Sequence, residues 1–146
     1  MPTKLGEPFS PLYRGKYPHM LDPDRPLWNR FLDQNPTTFD RIYYDVRVGG
    51  IFLDDPTIAE NLRNSFFNVT AKRIDALGET PTEVWIIEVA NSPGLRATGQ
   101  LATYCALWLA DPAIKKPAIG VLVSNSIDED LKRALWVYGM RSITIA

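Results

Sequence analysis

The 146 residues contain one cysteine and one histidine, the two side chains that most often build thiol chemistry and metal centres. Cys105 alone can form neither an internal disulfide nor a cysteine-based zinc site, and His19 alone excludes a histidine-rich metal cluster. An excess of one charge is also missing. Sixteen Lys and Arg oppose seventeen Asp and Glu, a formal net charge of −1. Coating nucleic acid by electrostatics alone needs a basic surplus, so only a local patch could serve that purpose. No apolar run reaches the roughly eighteen residues of a membrane span. Residues 1–6 lack the apolar stretch of a secretory signal, and the expected origin is cytoplasmic synthesis with no membrane partner. What is present is ordinary: 45% hydrophobic and 23% charged residues, the composition of one globular domain rather than of a disordered chain.

Prolines are unevenly placed. Pro2, Pro8, Pro11, Pro18, Pro23, Pro26 and Pro36 all fall in the first quarter of the sequence. Each fixes its own φ, removes a backbone donor and biases the preceding residue toward extended geometry. Residues 1–25 therefore read as an extended arm, and residues 26–146 as the folded domain. The arm also carries Leu5, Phe9, Leu12, Tyr13, Tyr17, Met20 and Leu21, too many apolar groups for an inert linker. It should lie on something, either the body of its own domain or a neighbouring subunit.

The remaining pattern predicts alternating elements. A short helix is expected within 26–39, with Leu27, Trp28, Phe31 and Leu32 at helical spacing. Residues 41–48 form a strand of mixed alternation closed by Gly49-Gly50. Asp55-Pro56 can open a second helix with Ile58, Leu62 and Phe66 as its stripe. Residues 68–77 and 84–90 read as two strands joined by a turn-rich hairpin connection. After the break at Ser92-Pro93-Gly94 a helix runs to Ala110, with Leu101, Tyr104, Cys105, Trp108 and Leu109 facing a core. Residues 118–123 are an unbroken apolar run of buried-strand length. Ser126-x-x-Glu129 reads as a capping box opening a last helix, with Leu131, Ala134, Leu135 and Tyr138 inward, before a strand at 142–145. Strands separated by helices require crossovers and a partly parallel sheet, so the fold class is α/β: a mixed central sheet flanked by helices.

The stretch from Ala71 to Trp108 carries the chemistry. It places Asp75 on one strand of the hairpin, Glu88 on the next, and Gln100-x-x-x-Tyr104 on the helix after it. In this order the sequence resembles the PD-(D/E)XK nuclease-like superfamily and its restriction-endonuclease-like core. The resemblance implies that Asp75 and Glu88 would hold Mg²⁺ or Mn²⁺ through hard carboxylate oxygens, and that Gln100 and Tyr104 match the helix motif. The two acids share a sheet face only if the hairpin register sets them opposite or diagonal, because a one-residue slip separates them. The pattern breaks at Glu88-Val89-Ala90, where alanine stands in the place of the superfamily's lysine. Lys72, Arg73 and Arg96 are the nearby cations, and Arg96 at the start of the following helix is the best-placed substitute. An arginine with a pKa above about 12 is nevertheless no titrating amine.

Bland roles stand beside these. Asp75 reads equally as a solvated strand-end acid. Glu88 interrupts an apolar run and needs either a metal or a partner such as Arg73 across the hairpin. Gln100 and Tyr104 suit core packing, Cys105 is a buried thiol, and His19 is a surface or contact residue. The expectation is a non-catalytic structural or interaction protein on a decayed PD-(D/E)XK-like scaffold, with no cofactor. The resemblance to short phage-borne members implies a bacteriophage virion component, at the head–tail connection or in the tail. It would be a homo-oligomer meeting its own copies and neighbouring structural proteins through the arm. The competing expectation is a Mg- or Mn-dependent DNA endonuclease using Asp75, Glu88, Arg96 and Gln100, with Asp75 and Glu88 as metal ligands. A third is a nucleic-acid-binding subunit that does not cleave, although near-neutral charge disfavours DNA as a partner.

Overall fold

The structure, a computed structural model, describes residues 3–146. Its elements in chain order are α1 (Asp24–Gln34), β1 (Arg41–Val48), α2 (Glu60–Thr70), β2 (Lys72–Glu79), β3 (Val84–Ala90), α3 (Leu95–Ala110), β4 (Ala118–Ser124), α4 (Glu129–Val137) and β5 (Arg141–Thr144). The strands form one sheet in the order β1-β2-β3-β4-β5. β1, β2 and β3 run antiparallel; β3, β4 and β5 run parallel, each parallel step being made through a crossover helix. The α/β class with a mixed sheet flanked by helices is therefore as expected.

Two apolar layers sandwich the sheet. On one face Leu27, Trp28, Phe31 and Leu32 of α1 cover Ile42, Tyr44, Ile87, Val121 and Val123. On the other, Leu101 and Trp108 of α3 and Leu131 and Leu135 of α4 cover Leu77, Ile86 and Leu122. The close approach of α3 depends on Gly120: a β-carbon there would meet Cys105 Sγ at 2.7 Å. Among the described residues no helix is long and apolar enough to cross a membrane.

The arm lies along its own domain. Lys4 and Phe9 exchange backbone hydrogen bonds with Arg47 and Ile42, so the arm runs antiparallel along the outer edge of β1. Tyr17 and Met20 are buried in the same cluster as α1, and Phe9 packs against it. Tyr44 is edge-on to Phe9 and Trp28, and its hydroxyl accepts from Trp28 Nε1 at 2.9 Å.

Several boundaries differ from expectation. Asp55 Oδ1 accepts from the backbone and hydroxyl of Thr57, closing a local turn, and α2 starts only at Glu60. The helix then persists through residues 68–70, which the sequence pattern assigned to a strand. Buried Phe67 anchors that turn, and Ala71 N–H donates to the Phe67 carbonyl. The stripe on this helix is also inverted, with Leu62 59% exposed and Phe66 38% exposed. The N-cap of α4 is Asp128, whose side chain accepts from Asp130 and Leu131 N–H, in place of Ser126. Tyr138 and Leu109, expected inward, are exposed.

Candidate functional site

The candidate site is built on an irregularity that β1 and β2 share. In β1, Ile42 and Tyr44 face α1 and Tyr43 faces α3, as alternation requires; past Asp45, however, Val46 and Val48 both face α3. β2 makes the same switch: Ala76 faces α1, Leu77 faces α3, and past Asp75, Ile74 faces α3 again. Asp45 carries the distortion in its backbone, with a left-handed φ of 54° that Asp tolerates better than most residues. The ladder is intact on both sides, Tyr44 opposite Ala76 and Val46 opposite Ile74, so Asp45 and Asp75 stand across from one another at the kink. This is the mixed alternation visible in residues 41–48.

The same point ends the β2–β3 ladder, whose last pair is Ala76 with Ile87. Glu88, between Ile87 and Val89 that face α1, is on the α3 side, and Asp75 stands beside it at the switch, where the two strands are no longer paired. Where the backbone ladder stops, a side chain replaces it: Asp75 Oδ2 accepts from Val89 N–H at 2.9 Å. Asp75 is thus a latch between the splaying strands rather than a solvated strand-end acid.

Glu88 is 7% exposed, and its Oε2 is buried without a hydrogen-bond partner. The expected pairing with Arg73 does not form. Arg73 instead grips Asp45 in a bidentate pair, Nε to Oδ1 at 2.6 Å and Nη2 to Oδ2 at 2.8 Å, because the kink turns Asp45 toward it. Burial first, then the neighbouring Asp75 and Asp24 carboxyl groups, raise the Glu88 pKa far above the ordinary carboxylate range. Two neighbouring carboxyl groups avoid repulsion if one carries a proton, and these causes favour it on Glu88. Burial, then the charges of Glu88 and Asp75, push the nearby Tyr104 hydroxyl up to about 12. Cys105 beside it is pushed up to about 11 by burial, an inert thiol as expected.

Tyr104 also lines a separate groove of about 460 Å³, with Lys72, Arg96, Gln100 and Thr103. The structure thus brings Asp75, Glu88, Gln100, Tyr104, Lys72 and Arg96 into one neighbourhood and leaves Arg73 and His19 outside it. It adds two residues that sequence reasoning missed. Asp24, the first residue of α1, has its carboxyl pKa raised by burial and then by Asp75, and accepts weakly from Asn91 Nδ2 at 3.4 Å. Asn91 also donates to the Pro23 carbonyl, joining the end of β3 to the start of α1. Asp24 carried no signal of its own, because an acid in a helix's first turn is ordinary dipole compensation.

A hard divalent cation is the group that such a pair implies. Two carboxylates with waters are an ordinary Mg²⁺ set, and Asp75 and Glu88, the latter with a buried Oε2 that has no hydrogen-bond partner, are the residues that would supply it. Asp24 does not extend the set: among the described residues no three His, Cys, Asp or Glu side chains converge closely enough to hold a metal. No family model matches the chain, and neither the curated proteins nor the solved structures provide a relative for it.

Proposed function

We propose that this chain is a non-catalytic interaction protein on a PD-(D/E)XK-like scaffold, a self-assembling structural component of the kind found in bacteriophage particles. One observation carries the reading: the acidic pair is engaged in holding the sheet together. Asp75 latches β3 through Val89 N–H, Glu88 carries the pair's proton, and Arg73 is tied to Asp45. The amine that would orient a nucleophile is replaced by the methyl group of Ala90. Loss of such an electrostatic group costs roughly 10²–10³ in rate in comparable sites. Incubation of plasmid DNA with Mn²⁺ tests this directly. No cleavage above a buffer control is expected, and cleavage abolished by Asp75→Asn would overturn the reading.

The runner-up, a Mg- or Mn-dependent endonuclease, is favoured by one feature, the buried Glu88 Oε2 that has no hydrogen-bond partner. In that reading Asp75 and Glu88 would hold the ion, which supplies activation of water. Arg96 and Lys72 would bind the phosphodiester, and Gln100 would orient it.

A further inference from the structure

Strand β5 closes the sheet with one side unpaired, and the register says which backbone groups that leaves free. Ile145 N–H donates to the Ser124 carbonyl at 2.8 Å, so Ile145 turns its backbone groups toward β4. Ile143 and Arg141, in alternation with it, do the same. Ser142 and Thr144 therefore turn theirs to the open edge, two donors and two acceptors at strand spacing.

That edge is one wall of a groove of about 430 Å³, and α4 is the other. Glu129, Lys132, Arg133 and Trp136 fall at i, i+3, i+4 and i+7, one face of the helix, and all four line the groove. The core takes Leu131 and Leu135 from α4, so this face is left over from folding. Trp136 is 78% exposed, a large aromatic of the type that anchors interfaces. Among the described residues Lys132 and Arg133 form no ion pair, not even with Glu129 one turn away. Arg141 also lines the groove, which makes three cations against one acid.

We propose that an extended, acidic segment of another protein adds to β5 as a sixth strand, with its acidic side chains beneath α4. This goes beyond the non-catalytic reading, because it names a surface and the chemistry of its partner. The open edge asks for an extended backbone, and the unpaired cations ask for carboxylates. Alternation along the added strand turns every second side chain to Lys132, Arg133 and Trp136. Charge also decides against a second copy of this chain. Arg133 is the middle residue of α4 (Glu129–Val137), so a two-fold pairing of β5 with itself would set the Lys132 and Arg133 of each copy against those of the other. Cations beside an open edge deter a like edge in this way and leave it available to an acidic strand.

Fluorescence anisotropy of a labelled nine-residue peptide alternating Glu with Val tests the proposal, with the full chain titrated to about 100 µM. Saturable binding is expected, at least about tenfold tighter than that of the same peptide with Lys in place of Glu. Thr144→Pro removes an outward donor and leaves the β4 ladder alone, a position where edge strands accept proline. It should weaken binding about fivefold with an unchanged thermal midpoint. The double variant Lys132→Glu/Arg133→Glu should reverse the preference between the two peptides, which a folding defect would not do. No binding at about 100 µM, equal binding of both peptides, or affinity indifferent to Thr144→Pro overturns the proposal. A full-chain dimer that Thr144→Pro dissociates would give the edge to a second copy and also overturns it, as does displacement of the peptide by a single-stranded oligonucleotide. The DNA-cleavage assay reports on the non-catalytic reading separately, so failure of either leaves the other readable.

Discussion

The antiparallel and parallel halves of the sheet are built on different principles. In the parallel half, β3, β4 and β5 pair in continuous register, and buried Val121, Leu122 and Val123 supply apolar side chains to both faces. The antiparallel half contains a kink, a bidentate Arg73–Asp45 pair, a buried carboxyl pair and a ladder that stops partway along β2. The edges differ as well. β1 is covered by the arm, whereas among the described residues β5 has β4 as its sole strand partner. A regular sheet holds itself together by repetition, while the irregular half needs side chains in specific places. Its stability should therefore respond to single residues and to pH.

The largest effect should come from the covered edge. Deleting residues 1–21 removes Phe9, Tyr17 and Met20 from the core, each worth about 2–5 kcal/mol as a truncation. Cooperative thermal unfolding should be lost. A truncated chain that melts normally but fails to self-associate would instead make the arm the intersubunit contact. Next comes the latch. Asp75→Ala leaves Val89 N–H without an acceptor and should cost about 2 kcal/mol in urea unfolding. Asp75→Asn keeps an acceptor and should cost less.

The carboxyl pair has a defined sign. Because the Glu88 pKa is raised in the folded state above its ordinary 4.5, folding binds a proton. Stability should be highest in mild acid and fall as pH rises from about 4.5 through neutrality. Glu88→Gln should flatten that slope and stabilise the chain by about 2 kcal/mol at pH 8, with little effect at pH 4. A flat wild-type profile would show that the proton is not there. Cys105 should react slowly with a thiol reagent at pH 8 until the chain unfolds, its pKa being raised to about 11. The smallest effect is expected at the bare edge. Arg141 and Glu83 approach only to 3.9 Å, so Arg141→Gln should change stability by no more than a few tenths of a kcal/mol.

Much of the parallel half was legible in the sequence, because local pattern and tertiary role agree there. The run Ala118–Ser124 is apolar because both its faces are buried, and the stripe of α3 points where helical periodicity puts it. The site was legible in its members but not in their roles. Asp75 and Glu88 could be placed on adjacent strands, and the register decided the rest. Partner choice was not legible. Arg73 is two residues from Asp75, yet it binds Asp45 in another strand, and only the left-handed φ at Asp45 makes that so. Apolar periodicity misled in α2. A stripe at helical spacing predicts that one face is covered, but not that the domain's own core is what covers it.

The matched switch in β1 and β2 also constrains how this chain can change. A one-residue deletion at Asp45 would leave Val46 and Val48 on the α3 side by plain alternation but slip them one residue against β2, and the same is true of a deletion at Asp75. Either lesion alone sets side chains of opposite faces across from one another. Only a simultaneous, compensating alteration in the neighbouring strand would keep the hairpin in step. In any set of variants selected for solubility, these two positions should tolerate indels jointly or not at all.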